Sequence, residues 1–555
     1  LIGMSFGKMK LFLVNANHMK MMMKMNLLKI TKRNTNTMKM KMMAGLMLAT
    51  LGLFASCAKS GREVQDPNKE GSTYVGVTLN MGANDFRAED DNYSKVGTWN
   101  GKDEIKTIDV YIVDVASGVV STGAYNKSNF TITQTDGAAS ISIVPQTAIR
   151  TNPGPKKVYA VVNASADVTL ALSQATAAAF ESAYNTVAHE LAVTSVATHT
   201  AGKDVIMASN AKECTIYVAA GVTEAQALAG TNRASVEMKR VVARVLVTSN
   251  ADTYEVKYSD GVTKMGTVKN ISYAGAQGEK KFYIGQKVVS NLIQTPAYGY
   301  VPTAIADIWG TGSTHYDYSD LLAHTFTTNP RYVTTIAGPV DAKKIGEESL
   351  KHSLFMFEAS HKYQTVSTNT DVNSYDGDFR RGNTPYVLVR ALFVPEATAF
   401  ADGEGGNYHE GQTFYLGANN KFYTTKANVT DPTKGGVAGQ RFRTYENGKV
   451  LYYAFVNPDR VPNTLDAPVF RNNIYRINIT GFKTIGTNWN PLFPEDPSNP
   501  NPGGPNNPDP KPNDDPVNPN PFDPQDPNTP KETWMSVEMS VLAWTVHTYD
   551  IELSL

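Results

Sequence analysis

Cysteine is nearly absent from this sequence, which has two, Cys57 and Cys214, among 555 residues. Histidine is scarce too: nine are scattered so that none forms a metal-binding pair at helical spacing. His409 and Glu410 stand together, but the second histidine of a zinc protease motif is missing, so this segment reads as a loop. These absences argue against a zinc site.

Motifs for nucleophilic catalysis and nucleotide binding are missing as well. The sequence has no nucleophile elbow, P-loop or dinucleotide fingerprint, and the glycines at 403–406 are typical of a turn. Oxygen-bearing side chains occur at 371–378, but their spacing does not fit an EF-hand, and calcium binding there stays open as the weaker alternative. We therefore predict that the protein is not an enzyme and has no cofactor.

The apolar run near the N-terminus is short. Residues 38–57 start with a basic stretch, continue through apolar residues and end in small residues before Cys57. This order is typical of a signal peptide, and 54–57 resembles a lipobox, so we expect Cys57 to be lipidated. The alternative, an anchor helix, is disfavoured because the run is too short to span a bilayer comfortably. We expect translation to start at Met38, with residues 1–37 as upstream sequence outside the fold.

Charge is balanced overall but uneven along the chain. Residues 1–56 hold nine basic residues and no acidic one, so from Cys57 onward 43 basic face 52 acidic residues, a net of −9. This balance argues against nucleic acid as a partner. Acylation of Cys57 leaves Cys214 as the other cysteine, so an intramolecular disulfide is excluded and stability must come from apolar cores.

The rest of the sequence is rich in strand formers and turn residues. Apolar residues make up 41%, with 42 glycines and 29 prolines. Alternating or continuous apolar runs predict strands at residues 74–81, 105–113, 157–163, 236–247, 386–394, 449–456 and 473–479. Many strands and few helices predict a mainly β protein with two β-sandwiches, at 88–250 and 251–488.

One helix is expected inside the first sandwich. Phe180, Tyr184, Val187 and Leu191 recur at helical spacing between residues 173 and 191, among many alanines. We expect this helix to pack on a sheet.

A proline-rich linker at 489–531 separates the two sandwiches from the C-terminal tail, 532–555. Fifteen of the 40 residues from 491 to 530 are proline, a composition that cannot form a packed core. Such a segment is extended and semi-rigid, and it can reach on the order of 100 Å. The tail is strongly β-prone, and a single strand is unstable alone in water, so it must pair with a sheet elsewhere.

The first strand and the tail share one apolar spacing. The inward-facing positions are Val75, Val77, Leu79 and Met81 in the first strand and Met535, Val537, Met539 and Val541 in the tail. The tail's apolar face then changes phase, through Leu542, Trp544 and Val546 to Tyr549, Ile551 and Leu553, which predicts a bulge or two short strands. Either segment could fill the same pockets, so we hypothesise strand exchange: a subunit loses its first strand by cleavage and receives a neighbour's tail as donor strand. Such a contact is heterologous and builds an open filament. In the alternative, the tail pairs within its own chain.

Several segments together resemble the type V pilus fimbrillins of Gram-negative anaerobes, most closely the shaft subunit of the short, or minor, fimbriae. The segments that carry the resemblance are 400–404, 411–417, 421–423, 452–458, 471–479, the linker and 544–552. The resemblance implies two transthyretin-like β-sandwich domains in tandem and export as an outer-membrane lipoprotein. It also implies removal of the first strand by an arginine-specific protease.

Carried onto this sequence, the cleavage site falls between Arg87 and Ala88, which makes residues 57–87 a lipidated propeptide. Arg62 also precedes the fold, but cleavage there would leave the first strand in place. The implied function is a structural subunit of cell-surface fimbriae that contributes to adhesion and biofilm formation. Its partners would be identical subunits, accessory tip and anchor fimbrial proteins, the protease, and the outer membrane before cleavage. The alternative is a monomeric surface lipoprotein that binds a glycan or host protein, and the residues alone do not separate a shaft from a tip or anchor subunit.

Overall fold

The computed structural model describes residues 72–81, 104–134, 141–174, 176–200, 203–308, 314–326, 328–336, 351–365, 375–457, 466–488 and 525, and the backbone of 535–543. Among these residues, no helix is long and apolar enough to cross a bilayer. Strands dominate, as the composition predicts, and the protein is mainly β.

Thirteen strands form the N-terminal region, counted over the described residues. They are β1 Thr73–Met81, β2 Thr107–Asp114, β3 Val120–Asn126, β4 Phe130–Gln134, β5 Ile141–Pro145, β6 Ile149–Thr151, β7 Gly154–Val162, β8 His189–Glu190, β9 Ala197–Thr200, β10 Lys203–Ile206, β11 Ala208–Asn210, β12 Thr215–Val218 and β13 Arg233–Arg240. Ten of them make one sheet in the order β3-β2-β7-β11-β13-β1-β5-β4, with β12 paired to β7 and β6 paired to β1. The first strand of the chain is therefore an interior strand of the sheet.

The C-terminal region holds the remaining strands. They are β14 Val242–Ser249, β15 Tyr254–Lys257, β16 Lys264–Ala276, β17 Gly278–Glu279, β18 Lys281–Phe282, β19 Val288–Val289, β20 Leu292–Ile293, β21 Tyr316–Asp317, β22 Thr334–Thr335, β23 Leu354–Phe357, β24 Tyr386–Pro395, β25 Phe414–Gly417, β26 Phe422–Tyr423, β27 Phe442–Tyr445, β28 Lys449–Phe455, β29 Asn473–Phe482 and β30 Met535–Ala543. One sheet runs β22-β14-β29-β30 with β23 on β14, and a second runs β15-β16-β24-β28. Val247 and Ile477 of the first sheet and Val389 and Tyr452 of the second are buried in one core, an arrangement typical of a sandwich.

Across the part of the chain that the structure describes, helices are short and few. The α-helices are α1 Ala166–Leu172, α2 Ala177–Asn185, α3 Glu224–Leu228, α4 Ile305–Ile308, α5 Ser319–Ala323 and α6 Lys426–Thr430. Single 3-10 turns lie at Val193–Ser195, Ala397–Ala399, Gly405–Asn407, Pro432–Lys434 and Glu446–Gly448. Thr176 caps α2 by accepting a hydrogen bond from the backbone N–H of Ala179, and such a cap is worth about 1 kcal/mol.

A continuous apolar core joins the two regions. Phe180 and Tyr184 of α2 lie in it beside Leu246 of β14 and Ile474 of β29, all nearly inaccessible to solvent. Because this core contains residues of both regions, the two regions pack directly against each other.

Two predictions about elements need correction. The apolar run 236–247 is not one strand: it breaks at Val241 into β13, which pairs with β1, and β14, which pairs with β29. The chain passes here from one sheet to another, and β14 pairs with β29 of the C-terminal region. The predicted helix ends at Asn185, so Val187 and Leu191 lie beyond it, and Val187 is exposed.

Candidate functional site

Strand β1 lies in a groove between two neighbours. It runs parallel to β13, with Gly76 opposite Arg233 and Met81 opposite Met238. On its other side it runs antiparallel to β5 and β6, with Leu79 opposite Ile143. Both backbone edges of β1 are thus paired, and removing the strand would leave two rows of unpaired N–H and C=O groups.

The inward face of β1 is fully buried. Val75, Val77, Leu79 and Met81 are 0%, 4%, 0% and 5% exposed and pack in one core with residues of β2, β5, β7 and β13. Burial of such side chains contributes about 1.5–3 kcal/mol each, or roughly 6–12 kcal/mol for the four. The alternation in the sequence therefore identified the buried face correctly.

Polar contacts fix both ends of β1. The Thr73 hydroxyl donates to the carbonyl of Ala219 at 2.7 Å and accepts from the backbone N–H of Val222 at 3.2 Å. Near the other end, Asn80 donates to the Ser235 hydroxyl at 2.9 Å and accepts from the Ser142 hydroxyl at 2.8 Å. These contacts set the register as well as the position of the strand.

Asn232, just before β13, completes the groove. Its backbone is left-handed, with φ of 55°, and its side-chain amide donates to the carbonyl of Tyr74 at 3.2 Å. Asparagine tolerates this conformation better than most residues. Asn232 was not predictable from the sequence, because one asparagine among many gives no signal until its partner strand is known.

The tail also forms a strand, and it pairs within its own chain. β30 runs antiparallel to β29, with Val537 opposite Ile479, Met539 opposite Ile477 and Val541 opposite Tyr475. A bulge interrupts this ladder next to Gly481, whereas the predicted phase change starts at Leu542, near the end of β30, and continues into residues outside the described range. Among the described strands, β29 is the one that pairs with β30. This is the arrangement that the sequence left open as the alternative to exchange.

Several predicted site residues lie outside the described residues. They are Cys57, Arg87, Ala88, Trp544, Val546, Tyr549 and Ile551. The structure brings β1 and β30 into two different sheets, so the two segments with matching spacing occupy separate places in this chain.

A serine, a histidine and an aspartate meet where the two regions touch. His199 Nδ1 lies 2.7 Å from Asp204 Oδ1, and the Ser353 hydroxyl lies 3.4 Å from His199 Nε2. The closer neighbour of Nε2 is the Ser353 carbonyl oxygen, at 2.8 Å, and Ser353 is 2% exposed. With no access for a substrate at the hydroxyl, this arrangement links the regions and is not a catalytic triad.

Arg244 completes that link. Its guanidinium pairs with Asp204 and donates to the Ser353 hydroxyl at 3.2 Å, and both charged side chains are fully buried. Burial alone would raise the pKa of Asp204, but the hydrogen bond to His199 and the charge of Arg244 outweigh it and hold that pKa below its ordinary value.

The loop at 371–378 is described only in part. Asp376 accepts from the backbone N–H of Thr365 at 2.9 Å and lies 3.9 Å from the Lys362 ammonium. The described residues contain no cluster of three or more side chains able to hold a metal ion.

Comparison with known proteins shows similarity to fimbrial proteins. The family model for the C-terminal part of fimbrillin, the major fimbrial subunit protein type IV, matches residues 443–550. Two relatives called minor fimbrium subunit Mfa1, from Porphyromonas gingivalis, are 34% and 33% identical over 532 residues, which cover 91% of this chain and 98% of each relative. Among solved structures, the C-terminally truncated tip fimbrial protein Mfa3 of the same organism shows 13% identity and a TM-score of 0.31, covering 74% of this chain and 95% of that one.

Proposed function

This chain belongs to the fimbrillin family of minor fimbrium subunits, a structural and not an enzymatic family, and we propose that it polymerises by strand exchange. In this proposal the groove of β1 is emptied by proteolysis and refilled by the tail of the next subunit. The observation that carries it is the position of β1: the first strand is an interior strand, paired on both edges and buried on one face. Removing such a strand opens a long apolar cleft that only another strand can fill.

Cleavage between Arg87 and Ala88 is the step that empties the groove. β1 ends at Met81, so a cut there separates the whole strand from the body, whereas a cut after Arg62 leaves it attached. Before the cut, lipid on Cys57 would hold the precursor at the outer membrane through the propeptide. The cut therefore frees the subunit from the membrane and opens its groove at once.

The tail is suited to enter a neighbour's groove. The proline-rich linker gives it reach, and Met535 to Val541 repeat the apolar spacing of Val75 to Met81. On β29 the tail pairs along one edge, whereas the groove offers two edges, those of β13 and of β5 with β6. An emptied groove is therefore the more stable site for the same strand.

The two sandwiches would be transthyretin-like domains. In the assembled fimbrium the chain would be a shaft subunit. A shaft subunit must both give and receive a strand, and this chain has a groove and a strand-forming tail. Tip and anchor proteins would end the filament, and exposed loops of the shaft would contribute to adhesion and biofilm formation at the cell surface.

The experiment compares four forms of the full chain treated with an arginine-specific protease. Wild type and Arg62→Ala should be trimmed and then form filaments, seen by size-exclusion chromatography and electron microscopy. Arg87→Ala should keep its first strand and stay monomeric. A chain that lacks residues 533–555 should be trimmed but not polymerise, and filaments from it would contradict the proposal.

One observation favours the monomeric alternative, the pairing of β30 with β29 of its own chain. If that pairing is the final state, locking it should change nothing. Met539 and Ile477 stand directly opposite each other, so Met539→Cys with Ile477→Cys, in a Cys214→Ser background, should form a disulfide within the chain. We expect this disulfide to block polymerisation until it is reduced.

A further inference from the structure

The groove makes specific demands on an incoming strand, and they are strictest at Gly76. A Cβ at this position would lie 2.5 Å from the carbonyl oxygen and 3.1 Å from the carbonyl carbon of Ala227, in α3. These are backbone atoms and cannot rotate away. Gly76 has ordinary strand backbone, so the glycine is required for space and not for conformation.

Helix α3 crosses the groove at this point and is attached on both sides of it. On one side, Glu224 accepts from the backbone N–H of Ala148, next to β6, at 3.2 Å. On the other, the Arg233 guanidinium of β13 donates to the carbonyl of Leu228. A third contact reaches β1 itself, because Thr73 accepts from the N–H of Val222, the residue before the N-cap Thr223 of α3. Loss of β1 removes this contact and leaves the two attachments beside the groove, until an incoming strand replaces it.

The tail contains no glycine from 533 to 555, so every register places a Cβ under α3. Three registers bring a small residue there: Ser536, Ser540 or Ala543. The Ser540 register puts Ala543 and Thr545 at the third and fourth pockets, and the Ala543 register puts Trp544 and Thr548 at the second and fourth. With Ser536 in place of Gly76, all four pockets receive Met or Val.

The same register also aligns residues at the two ends of the strand, which are different positions from the four pockets. Thr533 takes the place of Thr73, so its hydroxyl can restore the bonds to Ala219 and Val222. Trp534 takes the place of Tyr74, and Ser540 takes the place of Asn80 between two serine hydroxyls. The match thus covers outward-facing and terminal positions as well as the pockets.

We propose that Thr533 and Ser536 determine the register of the donor strand, and that α3 is a strap that lifts to admit the Ser536 side chain. This rests on strand exchange as the function. In the bound state Thr533 to Val541 lie where Thr73 to Met81 lay, parallel to β13. The Ser536 hydroxyl then donates to the Ala227 carbonyl, which turns a steric conflict into a hydrogen bond.

The register is tested by disulfide trapping in subunits that carry Cys214→Ser, expressed as the full chain and then cleaved by the arginine-specific protease. Asn80 stands opposite Ser142 on β5, so Ser142→Cys should link to Ser540→Cys of the next subunit. The neighbouring variants Glu538→Cys and Leu542→Cys serve as matched probes of registers shifted by two residues. A link at 540 alone supports the proposal, and a dominant link at 538 or 542 overturns it.

The two register residues are tested by rate. Ser536→Val and Thr533→Val should each slow polymerisation about tenfold, because the first enlarges the side chain under α3 and the second leaves the buried backbone N–H of Val222 without its hydrogen bond. The controls Ser554→Val and Thr545→Val make the same changes outside residues 533–541, and they should stay near the wild-type rate. Wild-type rates for Ser536→Val and Thr533→Val would refute the proposal. Failure of the wild type itself to polymerise would instead refute strand exchange.

Discussion

Leu79→Ala should weaken the precursor and leave the mature polymer unchanged. Leu79 is 0% exposed at the centre of the groove, and truncating a buried leucine to alanine costs about 2–5 kcal/mol. At about 1.4 kcal/mol per factor of ten, the smaller value already lowers the ratio of folded to unfolded precursor roughly 30-fold. Under the proposed cleavage after Arg87 the mature chain would lack residue 79, so the cleaved variant would be chemically identical to cleaved wild type.

The measurement is urea unfolding of uncleaved and cleaved protein, followed by circular dichroism. Thr78→Ala is the matched control, because Thr78 is a half-buried neighbour on the same strand, and its loss should cost well below 1 kcal/mol. An unchanged Leu79→Ala precursor would show that β1 does not stabilise the fold. Polymers of Leu79→Ala that melt earlier than wild type would show that β1 stays in the assembled form.

Three further predictions concern buried titratable residues. Burial raises the pKa of Glu279 to about 8, so the folded state keeps a proton that the unfolded state releases above about pH 4.5, and stability should fall as pH rises from 5 to 8; Glu279→Gln should flatten that slope in urea titrations. Burial lowers the pKa of His361 to about 4, so the unfolded state binds the extra proton below about pH 6.5, and stability should fall as pH drops from 6.5 to 4; His361→Gln should reduce that loss in thermal melts. Asp204→Asn leaves Arg244 buried without its counter-charge and should cost about 3–5 kcal/mol in urea unfolding, whereas Ser353→Ala should cost less than half as much.

The strands were predictable where period and burial coincide. Val75 to Met81 alternate cleanly because one face of β1 meets the core, and the runs at 386–394 and 449–456 fall on β24 and β28. The break at Val241 was not predictable, because β13 and β14 are both buried and no turn residue separates them. A run of apolar residues indicates that a strand is buried, but it does not indicate which sheet the strand belongs to.

The partners of a strand were harder to predict than the strand itself. A sequence pattern gives the face that β30 buries but not whether β29 or a groove receives it, since both present apolar rows at the same spacing. The crowding between Gly76 and Ala227 could not be foreseen either, because it joins residues about 150 positions apart. Such features depend on tertiary approach, and composition carries no trace of them.

The tail has two possible binding sites, β29 of its own chain and the groove of a neighbour. Competition between them explains why cleavage would switch on polymerisation. Tethers give effective concentrations up to about the millimolar range, so in the proposed exchange a neighbouring groove at about micromolar concentration would start up to about a thousandfold, or about 4 kcal/mol, behind β29. A second backbone ladder and four pockets worth roughly 6–12 kcal/mol can overcome that handicap, but only in an empty groove, because an attached β1 competes with the same advantage of proximity. Assembly would then be controlled by cleavage, which empties the groove, and not by the amount of free tail. Added tail peptide should accordingly leave uncut precursor monomeric and should cap cleaved subunits, and peptide bound to uncut precursor would show that the groove opens without proteolysis.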